Sequence, residues 1–205
     1  VGFELPIFEL PLVLLPGERL PLHIFEPRYK RMIGTSLERG EPFGVVLRDG
    51  EGPRTVGCTA HVTEVLERLE DERLNIIVTG DGPFRVIGRG ADDEAPSAEV
   101  EMLDPDHGGD DPEAAAAARE AFSELAERVG ATSPEPAELA SGGAYGLAAR
   151  VELPAETKQA LLELRDEGER MRILARALRA LQKALERSSD IAERASVNGK
   201  ISIGM

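Results

Sequence analysis

The stretch that most restricts this chain is residues 11–33, PLVLLPGERLPLHIFEPRYKRMI. Its prolines and its glycine divide it into short pieces. Leu12, Val13, Leu14 and Leu15 form an apolar run too short to cross a membrane. Pro16-Gly17 reads as a turn. Residues 20–25 form a second apolar segment, and Pro21 within it has no N–H for a ladder, so that strand belongs at an edge or a bend. Pro27 suits a first helical turn. The helix it starts carries Tyr29, Met32, Ile33 and Leu37 on one apolar face, with Arg28, Lys30 and Arg31 off that stripe. The expected opening is strand, bend, strand and a proline-started helix, with Gly40 as its stop.

After this motif the apolar period is two. Residues 43–47 read as a strand. Residues 56–69 alternate, with Cys58, Ala60 and Val62 on one side and Thr59, His61 and Thr63 on the other. Residues 74–79 return as the second arm of a hairpin. Gly80-Asp81-Gly82-Pro83 is expected to break the pattern, with short strands at 84–87 and 100–103 after it. Several short strands without strand–helix alternation indicate a barrel-like sheet rather than a doubly wound one.

Beyond the linker-like 104–112 segment the pattern turns helical. Phe122, Leu125 and Val129 share a stripe in one helix, and Pro154 starts another. From Glu167 to about Arg187, Met171, Leu174, Leu178, Leu181 and Leu185 recur at steps of three and four, a seam expected to pack on the other helices. The region 139–147, with Gly142-Gly143, is the weakest helical candidate. The expected division is a β-rich 1–104 region, a helical 113–190 region and a 191–205 tail, in which Ile201 and Ile203 alternate. The fold class is α+β.

Composition narrows function. A chain of 205 residues can hide roughly 70% of its unfolded surface. Tryptophan is absent and aromatics are 4%, so the core is aliphatic. The net charge of −14 argues against phosphate backbones and anionic membranes. One cysteine permits no internal disulfide and fits a reducing compartment. With no leader-like start and no long apolar run, the expected location is cytoplasmic and soluble.

The chemistry-bearing patterns are sparse. Cys58 and His61 stand at a spacing that separates them onto opposite strand faces. With only His23 and His107 besides, no zinc set forms. The acidic 104–113 segment lacks the EF-hand ligands at its fifth and twelfth places, which are Gly108 and Ala115. Gly80-Asp81-Gly82 and Gly88-Arg89-Gly90 adjoin strand patterns rather than opening a helix, so they read as turns or a bulge and not as a phosphate cradle. No Walker loop and no GxSxG elbow occur. No catalytic residue, metal or cofactor is assigned. Arg172, Arg176, Arg179, Lys183 and Arg187 form a basic stripe beside the leucine seam, read as a solvated face that pairs with nearby acids. Phe25, Arg28, Tyr29 and Arg31 remain as a candidate peptide-binding set, because aromatic area and guanidinium forks meet at one bend.

Three pieces, in order, carry a family likeness: Leu5-Pro6-Ile7-Phe8, the PLVLLPGERLPLHIFEPRY run, and Gly80-Asp81-Gly82-Pro83-Phe84-Arg85-Val86. Together they resemble the N-terminal substrate-binding domain of Lon proteases, most closely the short bacterial proteins made of that domain alone. Lys158-Gln159 followed by Leu161-Leu162 resembles a helix of the same family. The resemblance implies a PUA-like β-barrel followed by a helical bundle. It also implies a non-catalytic module that binds unfolded or tagged polypeptide for a separate ATPase or protease. The ATPase and peptidase parts of Lon are not within these 205 residues. The alternative expectation is a PUA-like domain for a small ligand or RNA.

Overall fold

In the computed structural model, residues 2–90, 96–104, 111–132 and 134–198 are described, with backbone alone for 136, 140 and 189–198. Residues 3–10 supply the first strand, β1 (Phe3–Leu10). β2 (Arg19–Ile24), α1 (Pro27–Arg39), β3 (Phe43–Asp49), β4 (Gly52–Pro53), β5 (Val56–Arg68), β6 (Leu74–Arg89) and β7 (Ser97–Met102) follow. The hydrogen-bonded order is β1-β7-β6-β5-β3-β4, and a parallel β1–β3 pairing closes a ring from it. The other pairings are antiparallel. The α+β expectation, a barrel-like sheet followed by helices, is met.

The long β6 gives the ring its shape. One edge pairs with β5 from Leu74 to Arg85. The opposite edge serves two partners in turn, β2 over Leu74–Thr79 and β7 over Phe84–Arg89. The expected break at residues 80–83 is therefore absent, and the separate strand at 84–87 is the second half of β6. Here glycine and proline mark a bulge and a close approach instead of a turn. The register slips between Cys58 and Ala60 of β5. Thr59 fills that slip, since its hydroxyl donates to the Gly82 carbonyl at 3.1 Å and accepts from the Gly82 N–H at 3.2 Å. Gly80 lies so close to the preceding chain that a Cβ there would stand 2.3 Å from the Leu15 carbonyl oxygen.

The same contact accounts for a second departure. Residues 12–15 are not a strand, although Val13, Leu14 and Leu15 are all buried. A strand against one core alternates inward and outward. Burial of consecutive residues does not itself forbid a strand, since Phe43 to Leu47 of β3 are all buried; here the chain takes an irregular path pinned where Pro16 bridges Gly80. β2 behaves as expected of an edge. Pro21, paired opposite Ile77, lies between the residues that bond β6, where its missing N–H costs no ladder bond.

Helix α1 has Pro27 in its first turn and ends on Gly40 in the left-handed conformation (φ 67°), with the Gly40 N–H bonded to Ser36 O. Tyr29, Ile33 and Ser36 face inward. The later helices are α2 (Pro112–Arg128), α3 (Pro136–Ala140), α4 (Gly143–Ala148), α5 (Ala155–Glu163) and α6 (Glu167–Asn198). The 139–147 region becomes two short helices parted at Ser141-Gly142, with Gly142 and Gly143 both at positive φ. Helix α6 continues to Asn198, past the expected end near Arg187. Its Met171, Leu174 and Leu178 are buried on the neighbouring helices, as the seam predicted. The expected alternation of Ile201 and Ile203, and most of the 104–112 linker, lie outside the described residues.

Two apolar clusters hold this arrangement. Leu5, Ile7, Val46, Phe84, Ala98 and Val100 form the smaller one, with the Phe84 ring in space left by Gly44 and Gly57. The larger joins strands to helices, from Val45, Leu47 and Cys58 to Leu161, Leu162 and Leu174. Each fully buried aliphatic side chain contributes about 1.5–3 kcal/mol relative to exposure.

Candidate functional site: a groove beside the first helix

Helix α1 lies over the sheet on its Tyr29–Ile33 face, which leaves Arg28, Arg31, Met32 and Thr35 along its flank. That flank is one wall of a groove of about 300 Å³. Pro6 of β1, Pro42 and Phe43 at the start of β3, and Pro96 before β7 complete its apolar surface. A proline has no N–H, so this surface offers side chains rather than an open ladder edge. Most other rim polar groups are already satisfied. Ser36 Oγ donates to the Glu41 carbonyl at 2.6 Å, Thr35 Oγ1 to the Arg31 carbonyl at 3.1 Å, and Ser97 Oγ to Glu4 Oε1 at 2.7 Å. What the groove presents is an apolar surface with guanidinium groups at its rim.

The four residues singled out from the sequence do not all meet there. Arg28 and Arg31 line the groove. Arg28 pairs with Glu26 at 3.0 Å, and its guanidinium carbon sits 4.5 Å from the centre of the Tyr29 ring. Tyr29 itself is core, 4% exposed, with its ring centroid 4.1 Å from that of Phe8. Burial raises its hydroxyl pKa, opposed by the neighbouring Arg28 charge. Phe25 is 59% exposed, but it stacks on His23 at the end of β2 and does not line the groove. Met32, Phe43 and the three prolines were not foreseen. The available signal was the placement of Pro6, Pro42 and Pro96 in or beside strands, where each removes a ladder donor.

Elsewhere the chemistry stays inert. Cys58 is fully buried, and desolvation pushes its thiol pKa far up. His61 is half exposed and bonded to Asp81 at 2.9 Å, so the expected separation from Cys58 holds. Among the described residues no group of His, Cys, Asp or Glu could hold a metal ion, and no helix is long and apolar enough to cross a membrane.

Known proteins share this architecture. The family described as the ATP-dependent protease La (LON) substrate-binding domain matches residues 4–180. A solved Lon N-terminal domain protein from Xanthomonas campestris is 26% identical, with a TM-score of 0.65, covering 82% of this chain and 95% of that one. The N-terminal domain of Mycobacterium avium complex Lon protease, 18% identical, superposes with a TM-score of 0.60 over 86% of this chain and 98% of its own. The second likeness is one of fold. With the family matched across barrel and helices alike, this chain belongs to the Lon substrate-binding domain family.

Proposed function

We propose that this chain recognises polypeptide, taking an extended segment of an unfolded or tagged protein into the α1 groove. It then serves as an adaptor, or holds the segment for a separate ATPase or protease, and performs no bond-breaking itself. The observation behind this reading is the pairing of an apolar surface with a guanidinium rim in one groove. Apolar side chains of a bound segment would rest on Met32 and the prolines, above the buried Phe43. The arginines would bond its carbonyls or carboxylates, for which planar guanidinium groups are suited. In this reading the 1–104 region carries the groove and the 113–190 region braces it.

Calorimetric titration with a permanently unfolded protein, such as reduced and carboxymethylated lactalbumin, tests the proposal. Binding that falls at least tenfold in an Arg28→Ala, Arg31→Ala variant supports it. No heat with the intact chain refutes it. So does tight RNA binding that weakens steeply with salt, the signature of phosphate contacts.

A further inference from the structure

Among the described residues, the basic stripe on α6 is only partly neutralised. Arg172 does pair with Asp111, which also caps α2 by accepting from the Ala114 N–H at 2.9 Å. Arg176 and Arg179, one and two turns further on, are exposed and make no hydrogen bond or ion pair with any described residue. With Arg172 they stand at steps of four and three, so all three share one side of the helix.

That side forms a groove of about 530 Å³ between α2 and α6. Alanines form its floor, Ala114 and Ala117 from α2 and Ala175 from α6, between walls of charged side chains. Small residues let a third helix approach closely, because interaxial distance follows side-chain size. Asp111 and Glu113 line the groove at the N-terminal end of α2, where Arg172 is already matched. Among the described residues, the groove's cations without an ion pair are thus Arg176 and Arg179.

We propose that the α2–α6 groove docks an acidic helical segment of a partner polypeptide, whose carboxylates meet Arg176 and Arg179. This surface is separate from the α1 groove, and it would recruit a partner instead of holding substrate. Charge selects the occupant. Two guanidinium groups without an ion-pair partner among the described residues, in a protein of net charge −14, complement a local run of carboxylates. A nucleic acid would extend its phosphates past the groove, over Asp111, Glu113 and an acidic surface, losing by repulsion what it gained at the arginines.

Fluorescence anisotropy of the full chain decides it, with a labelled alanine-based peptide carrying glutamates at steps of three and four. A lysine counterpart and a single-stranded DNA oligonucleotide are the comparison probes. The expected result is saturable binding of the glutamate peptide alone, weakened by salt as screening shortens its reach. An Arg176→Glu, Arg179→Glu variant should lose it by at least about tenfold. A Lys183→Glu, Arg187→Glu variant carries the same charge change outside the groove and should bind within about twofold of the original. Circular dichroism melts confirm that both variants fold. Absence of peptide binding, equal loss in both variants, or DNA binding as tight as the peptide's each overturns the proposal. So does self-association in sedimentation velocity that the Arg176→Glu, Arg179→Glu variant abolishes, since the groove would then belong to a second copy.

Discussion

Lys158 Nζ lies 2.5 Å from Glu18 Oε1, joining helix α5 to the turn before β2 across 140 residues of sequence. Both side chains are nearly buried, 10% and 13% exposed. The other Glu18 oxygen accepts the Leu15 N–H at 2.9 Å, fixing the irregular run that covers Gly80. Beside it, Gln159 Nε2 donates to the Val56 carbonyl of β5 at 3.2 Å. Polar groups, not only apolar area, set how the helices sit on the barrel.

Removing one member of this pair leaves the other charge largely desolvated without its counter-charge, which costs far more than the intact pair contributes. Lys158→Met is expected to lower stability by about 2–3 kcal/mol, below the fully buried range because some solvent reaches the site. Lys158→Met combined with Glu18→Gln should recover more than half of that loss. Urea unfolding followed by circular dichroism measures both. Additive losses in the double variant would show that the two residues act independently.

Gly80 tests the crossing from the 11–17 segment to β6. A methyl at this position would meet the Leu15 carbonyl at 2.3 Å and the Cys58 sulfur at 3.1 Å, and backbone cannot swing aside as a side-chain tip can. Gly80→Ala should therefore destabilise the chain by about 1–3 kcal/mol, the usual range for an overfilled core. Gly17→Ala should also destabilise, but by strain alone: its φ is 76° and nothing lies near its added carbon. A thermal melt unchanged by Gly80→Ala would refute the tight approach.

What the sequence disclosed and what it hid divide along this contact. Local signals were legible. Pro27 starts α1, Gly40 ends it, and the leucine seam of α6 packs as its spacing required from Met171 to Leu181, though Leu185 is exposed. Non-local ones were not. Nothing near Gly80 says that its neighbour is Leu15, so a residue needed for close approach reads as a turn. The site followed the same rule. Arg28 and Arg31 were legible because helical period puts them off the apolar stripe, whereas Pro6 and Pro96 join them only through the β1–β7 pairing. Tyr29 was ambiguous in sequence because its stripe and its aromatic ring argued for different surroundings.

Acid titration should reveal the cap of α2. The Asp111 carboxylate accepts the Ala114 N–H and pairs with Arg172, and both hold its pKa below the ordinary range. A lowered folded pKa means the native state favours the charged form. The contribution is present above the unfolded value, about 4, and is lost as pH falls through the lower folded value. Asparagine caps nearly as well as aspartate, so Asp111→Asn removes the charge and little else. The variant should be less stable at pH 6, and the gap should narrow below about pH 4. A gap independent of pH would assign the effect to shape rather than charge.

The thiol of Cys58 reports on opening of the barrel. It is fully buried and its pKa is raised, so at pH 8 the native chain holds it protonated and shielded from reagent. Alkylation by iodoacetamide should proceed only through opened states and accelerate with denaturant as unfolding does. Rapid stoichiometric labelling of the native protein at pH 8 is the result that contradicts this placement.

The substrate reading turns on whether the α1 groove, or merely the exposed aromatic near it, takes the peptide. Met32 lines the groove and Phe25 does not, although both are apolar and only seven positions apart. Met32→Glu sets a carboxylate on the apolar wall, where an arriving apolar side chain would have to desolvate it. It should cut binding of unfolded lactalbumin at least tenfold. Phe25→Ser removes an exposed ring held only against His23 and should change stability by no more than about 0.5 kcal/mol. If the groove is the site, Phe25→Ser should leave affinity within about twofold. The reverse outcome, with Phe25→Ser disabling and Met32→Glu silent, would move recognition to the end of β2, where Pro21 interrupts the donors along the outer edge. A bound strand could add little there by backbone pairing, so affinity would have to come from the Phe25 ring itself.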